Sequence, residues 1–472
     1  MSIHIHNSLS RKKEEFHPLK PETKEVAMYV CGPTVYDEPH IGHARSAYIF
    51  DVIRRYLVYR GYQVKFVRNV TDVDDKIINK AKEEFPGEDL NSSFKKVAEK
   101  YLKSYHEALK SLGIEVNGIS EPKASEYIPK MIKFIQNLVD RGAAYVSGGD
   151  VYFDITKALS YGKLSNQSLE KMESGVRVAS HENKRNPLDF ALWKSAKENE
   201  PFWDSPWGKG RPGWHIECSV MSQKFIKTDT LDIHAGGRDL IFPHHENEIA
   251  QVEALTGKPF AKYWIHHGLL TINNQKMSKS LGNFITINDF MNKYHDADPL
   301  KLFFLSAHYS HPIDYTDEKI EETKQALTRL HILMGKLEKA VPPKGPAIKK
   351  KEIEELRASF FSAMDDDFNT PGGLAVVFDL VNLTNKNIDD ADFVFSARET
   401  LKELLGILGI TLASRPKDAS ISDNEVEVKI IERKQARLNK DYALGDKIRK
   451  ELEEKGVILE DTKEGTSWRR KL

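Results

Sequence analysis

Residues 26–30, VAMYV, form a short apolar run rich in strand-forming side chains, and it stops at Cys31-Gly32-Pro33, which cannot continue a strand. The stretch from Ala44 to Arg60 then sets Ile49, Ile53, Tyr56 and Leu57 at helical spacing, with Gly61 as the stop. QVKFVRNV, residues 63–70, reads as a second strand. Strand, helix and strand within this span predict a βαβ unit, hence a parallel sheet whose ligands lie beyond the carboxyl ends of its strands. The G-x-G-x-x-G fingerprint is missing at the first turn, which disfavours a nicotinamide or flavin role.

From Asp75 to Leu112 the pattern is charged and helical, and from Tyr145 to Trp207 it turns to Gly, Pro and aromatics with short strands. That change of character predicts a subdomain inserted in an α/β sheet, which resumes near Thr230 with LDIHAGG. Beyond Lys319 long amphipathic helical patterns dominate, interrupted by linkers at 341–350 and 413–424. The expected fold class is α/β: a Rossmann-type parallel-sheet domain with an inserted subdomain, then an all-α helical bundle and a small C-terminal domain. The expected boundaries are 1–125 and 213–268 for the two halves of the sheet domain, 126–212 for the insert, 269–320 for a loop and connecting region, 321–412 for the bundle and 425–472 for the last piece.

The 472 residues hold only two cysteines, Cys31 and Cys218, too few for a disulfide framework and in keeping with a reducing compartment. The first residues, MSIHIHNSLSRKKEEF, lack the apolar core of a signal peptide, and no apolar run approaches a membrane span, so a cytoplasmic protein without a membrane partner is expected. With 70 basic against 70 acidic residues the net charge is zero, which taken alone argues against nucleic acid.

Pro39-His40-Ile41-Gly42-His43 lies between the first strand and first helix, where free backbone N–H groups and the helix dipole favour an anion. Two imidazoles there can donate to phosphate oxygens, and Gly42 lets a flat ring approach the backbone. Lys276-Met277-Ser278-Lys279-Ser280, followed by Leu281-Gly282-Asn283, puts two cations in a glycine-bounded polar loop suited to a polyphosphate. Either pentamer alone could be an ordinary turn. Together and in this order they resemble the class I aminoacyl-tRNA synthetases, whose HIGH and KMSKS signatures they match in full. The resemblance implies ATP-dependent amino-acid activation, with His40, Gly42 and His43 near the triphosphate and Lys276 and Lys279 stabilising the leaving pyrophosphate.

Pro243-His244-His245-Glu246-Asn247-Glu248 is expected to open a helix, with proline in its first turn and His244 and Glu248 on one face. A histidine and a carboxylate at that spacing are more often a surface pair. With Cys31 and with Cys218 of Gly213-Trp214-His215-Ile216-Glu217-Cys218 they form a plausible zinc shell, softer than magnesium or calcium prefers. CGPTVYDEPHIGHARS, NVTDVDDKI, GRPGWHIECS, DIHAGGRDLIFPHHENEIAQ and KMSKSLGNF together resemble the cysteinyl-tRNA synthetase family, nearly end to end. FFSAMDDDFNTPGGLAVVFDL and the C-terminal GDKIRKELEEKGVILEDTKEGTSWRR fit the same family. Carried over, its zinc ligands fall on Cys31, Cys218, His244 and Glu248. A metal that binds thiolate and not a serine hydroxyl would select cysteine where a pocket reading shape alone discriminates weakly.

Thr71, Trp214 and His234 are candidates for contacts to the amino acid, although Trp214 could equally be core packing and His234 a structural histidine. Gly237 and Asp239 are candidates for the ATP ribose. Asp365 to Asp367 read as a helix cap and solvated turn with no site. Between Ile430 and Leu472 there are 12 Lys and Arg against 9 Asp and Glu, with Arg433, Arg437 and Lys440 at helical spacing and Trp468 beside Arg469, Arg470 and Lys471. By composition this is a solvated helix face; the resemblance implies tRNA recognition by the bundle and tail.

The implied enzyme is a ligase that forms cysteinyl-adenylate from L-cysteine and ATP, then charges tRNA-Cys, with one Zn2+ per chain, Mg2+ accompanying ATP, and a monomeric chain. The alternatives are a ligase joining cysteine to a small amine, as in the cysteine:glucosaminyl-inositol ligases, and a non-catalytic zinc-stabilised RNA-binding protein.

Overall fold

The computed structural model describes residues 2–115, 118–168, 183–226, 229–338, 350–412, 423–462 and 465–470. The linker expected at 341–350 lies outside the described residues except for Lys350, and that at 413–424 lies outside them except for Asp423 and Asn424. Among the described residues no helix is long and apolar enough to cross a membrane.

A short hairpin, β1 (His4–Asn7) and β2 (Lys12–Glu15), precedes β3 (Glu25–Val30), which is buried along nearly its whole length, as a strand covered on both faces must be. Helix α1 (Ile41–Tyr59) follows and leads to β4 (Gln63–Arg68). The helix starts three residues before the expected Ala44 because two histidines cap it. His40 Nδ1 accepts from the Gly42 amide at 3.1 Å, and His43 Nδ1 accepts from the His40 amide at 3.3 Å. The box is the reciprocal device usually built from Ser or Thr with Glu, so the sequence carried no familiar start signal. At the other end Gly61 takes φ +85°, as its role as a stop requires.

Helices Asp75–Glu84, Leu90–Ser111 and Ile128–Asp140 lead into an antiparallel sheet of β5 (Ala144–Ser147), β6 (Asp150–Phe153), β7 (Phe190–Ser195) and β8 (Gly210–Pro212). The helix Trp214–Ile226 returns the chain to the main sheet through β9 (Leu231–Gly237) and β10 (Ala261–His267). That sheet is wholly parallel with order β10-β9-β3-β4. From β3 the chain runs first to β4 on one side and later to β9 on the other. The crevice outside the carboxyl ends of β3 and β9 is therefore the topological switch point, where open α/β sheets bind ligands.

A three-stranded sheet of β11 (Leu270–Ile272), β12 (Gln275–Lys276) and β13 (Ile313–Tyr315) carries the second nucleotide motif. Helix Asp317–Leu337 leads to the bundle Lys351–Asp365, Thr370–Lys386 and Ala391–Leu408. Two polar ties bolt this bundle to α1: Tyr48 Oη donates to the Leu408 carbonyl at 2.5 Å, and Arg60 donates to both oxygens of Asp365 at 2.6 and 2.7 Å. Asp365 also accepts from Tyr56 Oη, and buried Asp367 accepts from the His6 amide and Tyr309 Oη. The expectation of a solvated turn here is thus corrected. Two of the three acids are buried and exchange hydration for charged or multiple hydrogen bonds.

Helices Asp423–Leu438 and Tyr442–Glu454 pack on the hairpin β14 (Val457–Thr462) and β15 (Gly465–Arg470) around their own small core of Val426, Ile448, Leu452 and Val457. The predicted basic row does not survive intact. Arg433 is buried, with Nη1 and Nη2 on the two oxygens of Asp461 at 2.8 and 2.9 Å, and Lys440 lies beyond the helix end at φ +62°. Trp468 packs against the small core and donates Nε1–H to Glu427, so it is not a free stacking ring. Lys471 lies outside the described residues.

Candidate functional site

The carboxyl end of β3 delivers Cys31, and the helix Trp214–Ile226 turns Trp214, Glu217 and Cys218 to one face by its i, i+3, i+4 spacing. Contrary to the expectation from the sequence, Pro243 does not open the helix that carries Glu248. Phe242 is extended (φ −135°, ψ 132°), as a residue before proline prefers. One wide turn then spans 241–245, and the regular helix runs from Glu246 to Thr256. His244 and Glu248 still meet, with Nε2 3.0 Å from Oε1.

Cys31, Cys218, His244 and Glu248 each offer a buried ligand atom, all within 4.8 Å of one another. The two sulfurs are 3.7 Å apart, too far for a disulfide and close to the roughly 3.8 Å edge of a tetrahedral site with zinc–sulfur bonds of about 2.3 Å. Cys31 Sγ is also 3.7 Å from Glu248 Oε1. Electrostatics mark the same point. Burial opposes charge on every member, yet hydrogen bonds from Cys31 and His244 bring the Cys218 thiol down to about 6. Against the same burial, His234 and His244 bring Glu248 down to about 2, while Glu248 and Cys218 raise His244 to about 10. The anionic donors thus gather around a proton on His244, the place that a cation would take.

A second grouping, Cys31, His234, His245 and Glu248, shares two donors with the first and competes for the same ion. It leaves out Cys218, the thiol its neighbours push down, and keeps Cys31, which burial and its hydrogen bond to Cys218 push well above the ordinary thiol range. Its His245 is pushed well below the ordinary imidazole range by burial and then by neighbouring histidines, and its Nδ1 is tied to His266 Nε2 at 2.8 Å. The first set, with two thiols, one imidazole and one carboxylate, fits a borderline-soft divalent ion.

The predicted amino-acid contacts divide. Trp214 is 39% exposed and lays its ring 4.1 Å from that of His244, so it is a cover to the donor cluster and not core. His234 is fully buried with Nε2 2.7 Å from Glu248 Oε2, which places it behind one carboxylate of the donor cluster. Thr71 stands at the same strand ends and donates Oγ1–H to Glu217 Oε2 at 2.7 Å. Gly237 closes β9, and a Cβ there would fall 2.4 Å from Asp239 Oδ1, so those two residues are in contact.

The two nucleotide motifs meet in space. Ile41 donates its amide to the Ile285 carbonyl, and Ile287 to that of Pro39, at 3.1 and 2.9 Å. A Cβ on Gly42 would touch the His40 ring at 3.0 Å and Met277 at 3.4 Å. His40 and His43 stack with centroids 3.8 Å apart. Because Nδ1 of each accepts an amide hydrogen, each proton sits on Nε2, leaving two outward donors at the helix N-terminus. Burial lowers His40 to about 4 and His43 well below its ordinary range, so both rings are neutral donors near pH 7.

A consequence follows for stability. Between about pH 4 and 6.5 the unfolded chain binds a proton that folded His40 refuses, so this contribution is complete above about 6.5 and is lost as pH falls through about 4. Thermal unfolding should show the margin of wild type over His40→Asn, which keeps a cap acceptor, shrinking from pH 7 to pH 4. A constant margin would contradict it.

Several contacts around these residues carried no signal in the linear sequence. Lys279 Nζ forms an ion pair with Asp37 across the crevice, and Asn283 closes the loop by accepting from the Ser278 amide at 2.8 Å. Buried Arg45 donates to the carbonyls of Gly268, Leu269, Tyr309 and His311, pinning the approach to β11. His215 Nδ1 lies 2.9 Å from His244 Nδ1 and orients that ring through its second nitrogen, the position that an outer partner of a metal-binding imidazole takes. His215 and Glu217 lie three and one positions before Cys218, but proximity in sequence alone assigned them no role.

Residues 16–325 match the family described as tRNA synthetases class I (C) catalytic domain, and residues 359–413 match the DALR domain. A protein named cysteine–tRNA ligase from Geobacillus thermodenitrificans (strain NG80-2) is 49% identical over 478 residues, covering 99% of each chain. One of the same name from Clostridioides difficile (strain 630) is 47% identical over 473 residues, again covering 99% of each. Among solved structures, Mycobacterium tuberculosis methionyl-tRNA synthetase bound by methionyl-adenylate aligns with TM-score 0.60 at 14% identity, over 84% of this chain and 95% of that one. A LeuRS in a ternary complex with tRNA and LeuAMS from Agrobacterium radiobacter K84 aligns with TM-score 0.59 at 12% identity, over 83% and 84%. At such identities these two establish likeness of fold alone.

Proposed function

The chain belongs to the cysteine–tRNA ligase family of class I tRNA synthetases, and from that premise we propose how its residues divide the reaction. The observation that carries the assignment is the convergence of Cys31, Cys218, His244 and Glu248 on one buried point in the crevice that also receives both nucleotide motifs. In the first step the cysteine carboxylate attacks the α-phosphorus of ATP, the bond to the β-phosphate oxygen breaks, and pyrophosphate leaves. In the second, a ribose hydroxyl of the terminal adenosine of tRNA-Cys takes the acyl group and AMP departs.

His40 and His43 hold phosphate oxygens through their Nε2–H groups at the positive end of α1, and Gly42 leaves room for the nucleotide. Lys276 and Lys279 meet the negative charge that builds on the departing pyrophosphate, with Mg2+ accompanying the nucleotide. Gly237 and Asp239 sit where β9 ends and receive the ribose. Zn2+, one per chain on Cys31, Cys218, His244 and Glu248, would supply a soft Lewis acid for a thiolate that a serine hydroxyl cannot match. Thr71 and Trp214 border the amino acid, and His234 fixes the orientation of Glu248. We assign the two halves of the catalytic body to residues 1–125 and 213–268, the insert to 126–212, the KMSKS and stem-contact region to 269–320, and tRNA binding to 321–412 and 425–472. The active unit is a single chain.

Purified enzyme should catalyse ATP–pyrophosphate exchange dependent on cysteine and should charge total tRNA with cysteine. Exchange without charging, together with transfer to a small amine, would favour the small-amine ligase. RNA binding with no exchange at all would favour a non-catalytic protein.

A further inference from the structure

If the thiol of cysteine is held at the donor cluster, covalent geometry confines its α-nitrogen to roughly 3–4 Å from that sulfur. An ammonium held there needs acceptors within hydrogen-bond reach of its nitrogen, and a carboxylate among them offsets its charge. The nearby acids are mostly committed. Glu248 is engaged by His234 and His244. Asp72 accepts from the amide and hydroxyl of Ser125, at 2.8 and 2.5 Å. Asp74 caps the helix Asp75–Glu84 through the Lys76 amide, and Glu246 accepts from the amides of Leu164 and Ser165.

Glu217 differs from all of these. It is fully buried, Oε2 accepts from Thr71 Oγ1 at 2.7 Å, and Oε1 is the one buried carboxylate oxygen among the described residues with no hydrogen-bond partner. It also stands beside the donor cluster, next to Cys218 on the helix face that carries Trp214. Thr71 is linked back to the same point, because Asn69 Nδ2 donates to Thr71 Oγ1 at 3.3 Å while Asn69 Oδ1 is 3.7 Å from Cys218 Sγ.

We propose that Glu217 receives the α-ammonium of the amino-acid substrate, with Oε1 accepting one N–H and Thr71, its own proton committed to Oε2, accepting a second through a lone pair. This rests on the reading that the substrate thiol is held at the Cys31, Cys218, His244 and Glu248 cluster. The incoming ammonium supplies the hydrogen bond that Oε1 lacks. The site therefore selects for an amine two carbons from the thiol and discriminates against thiols lacking one, since those leave Glu217 unpaired.

Three ligands separate the roles: cysteine, cysteamine, which keeps the amine, and 3-mercaptopropionate, which lacks it. Their dissociation constants would be measured by calorimetry on metal-loaded wild type and Glu217→Gln, with metal content and thermal midpoint recorded for each. The variant should weaken cysteine and cysteamine by about 100-fold and leave 3-mercaptopropionate within about threefold, as expected when one partner of a buried charge pair is removed. Thr71→Val should show the same selectivity at about tenfold, which keeps the test available if Glu217→Gln does not fold. Equal weakening of all three ligands, or of none, overturns the proposal. Wild type that binds cysteine equally well with and without metal would instead overturn the thiol-binding reading beneath it.

Discussion

Replacing Lys279 with alanine is expected to slow cysteine-dependent ATP–pyrophosphate exchange by about 100- to 1,000-fold, the usual cost of deleting one preorganised group that meets charge developing in a transition state. The structure gives a reason for the loss to fall on turnover. Lys279 is paired with Asp37, on the segment leading to His40, which sets its Nζ at the rim of the triphosphate site proposed above. The loop around it is held by Asn283 and by the pairing of Thr271 with Lys276. Lys279 can therefore exchange a carboxylate for a phosphate with little rearrangement of the chain. Steady-state exchange should show a fall in kcat with the KM for cysteine within about threefold, the pattern of an interaction made chiefly in the transition state. Unchanged exchange would remove Lys279 from the mechanism.

Loss of the metal is expected to have a comparable or larger effect on a different quantity, the choice of amino acid. The purified chain should contain about one zinc. Chelation, or Cys218→Ala, should reduce cysteine activation by about 1,000-fold or more, because the site then reads only shape, and shape separates cysteine from serine poorly. Added zinc should restore the chelated wild type but not Cys218→Ala, since removal of that thiol leaves three protein donors and the buried His244–Glu248 pair without its second anion. Serine activation should change little in either case, so the ratio of the two rates is the decisive measurement. Metal-free protein that still activates cysteine at the wild-type rate would reject the thiolate-binding model.

The elements legible in the sequence were those that local chemistry specifies. The apolar run before Cys31, the helical spacing through Leu57 and the stop at Gly61 all appear as expected. The start of α1 was misplaced because its capping box is made of histidines, and the helix bearing Glu248 was misplaced because Pro243 lies in a wide turn before it. Arg433 looked like a surface cation, yet its burial depends on Asp461 from a strand 28 residues away. Asp365 looked like a cap, yet its partner Arg60 lies 305 residues away. Helical and strand periods report on neighbours along the chain, and none of these partners is one.

The same division holds for the site. Read linearly, the chain offers two thiols, a histidine and a carboxylate four apart, and the His40–His43 and Lys276–Ser280 motifs in order, and it was the family these resemble that indicated an enzyme handling cysteine and ATP. Folding brings the four donors implied by that resemblance to one buried point and adds that His234 stands behind Glu248, that Trp214 covers the cluster and is not core, that Asp37 holds Lys279, and that Glu217 keeps a buried oxygen unsatisfied. The cause is range. Hydrogen bonds, metal bonds and desolvation act over a few ångströms, and the fold brings the groups they join here from far along the chain, Asp37 and Lys279 from 242 residues apart.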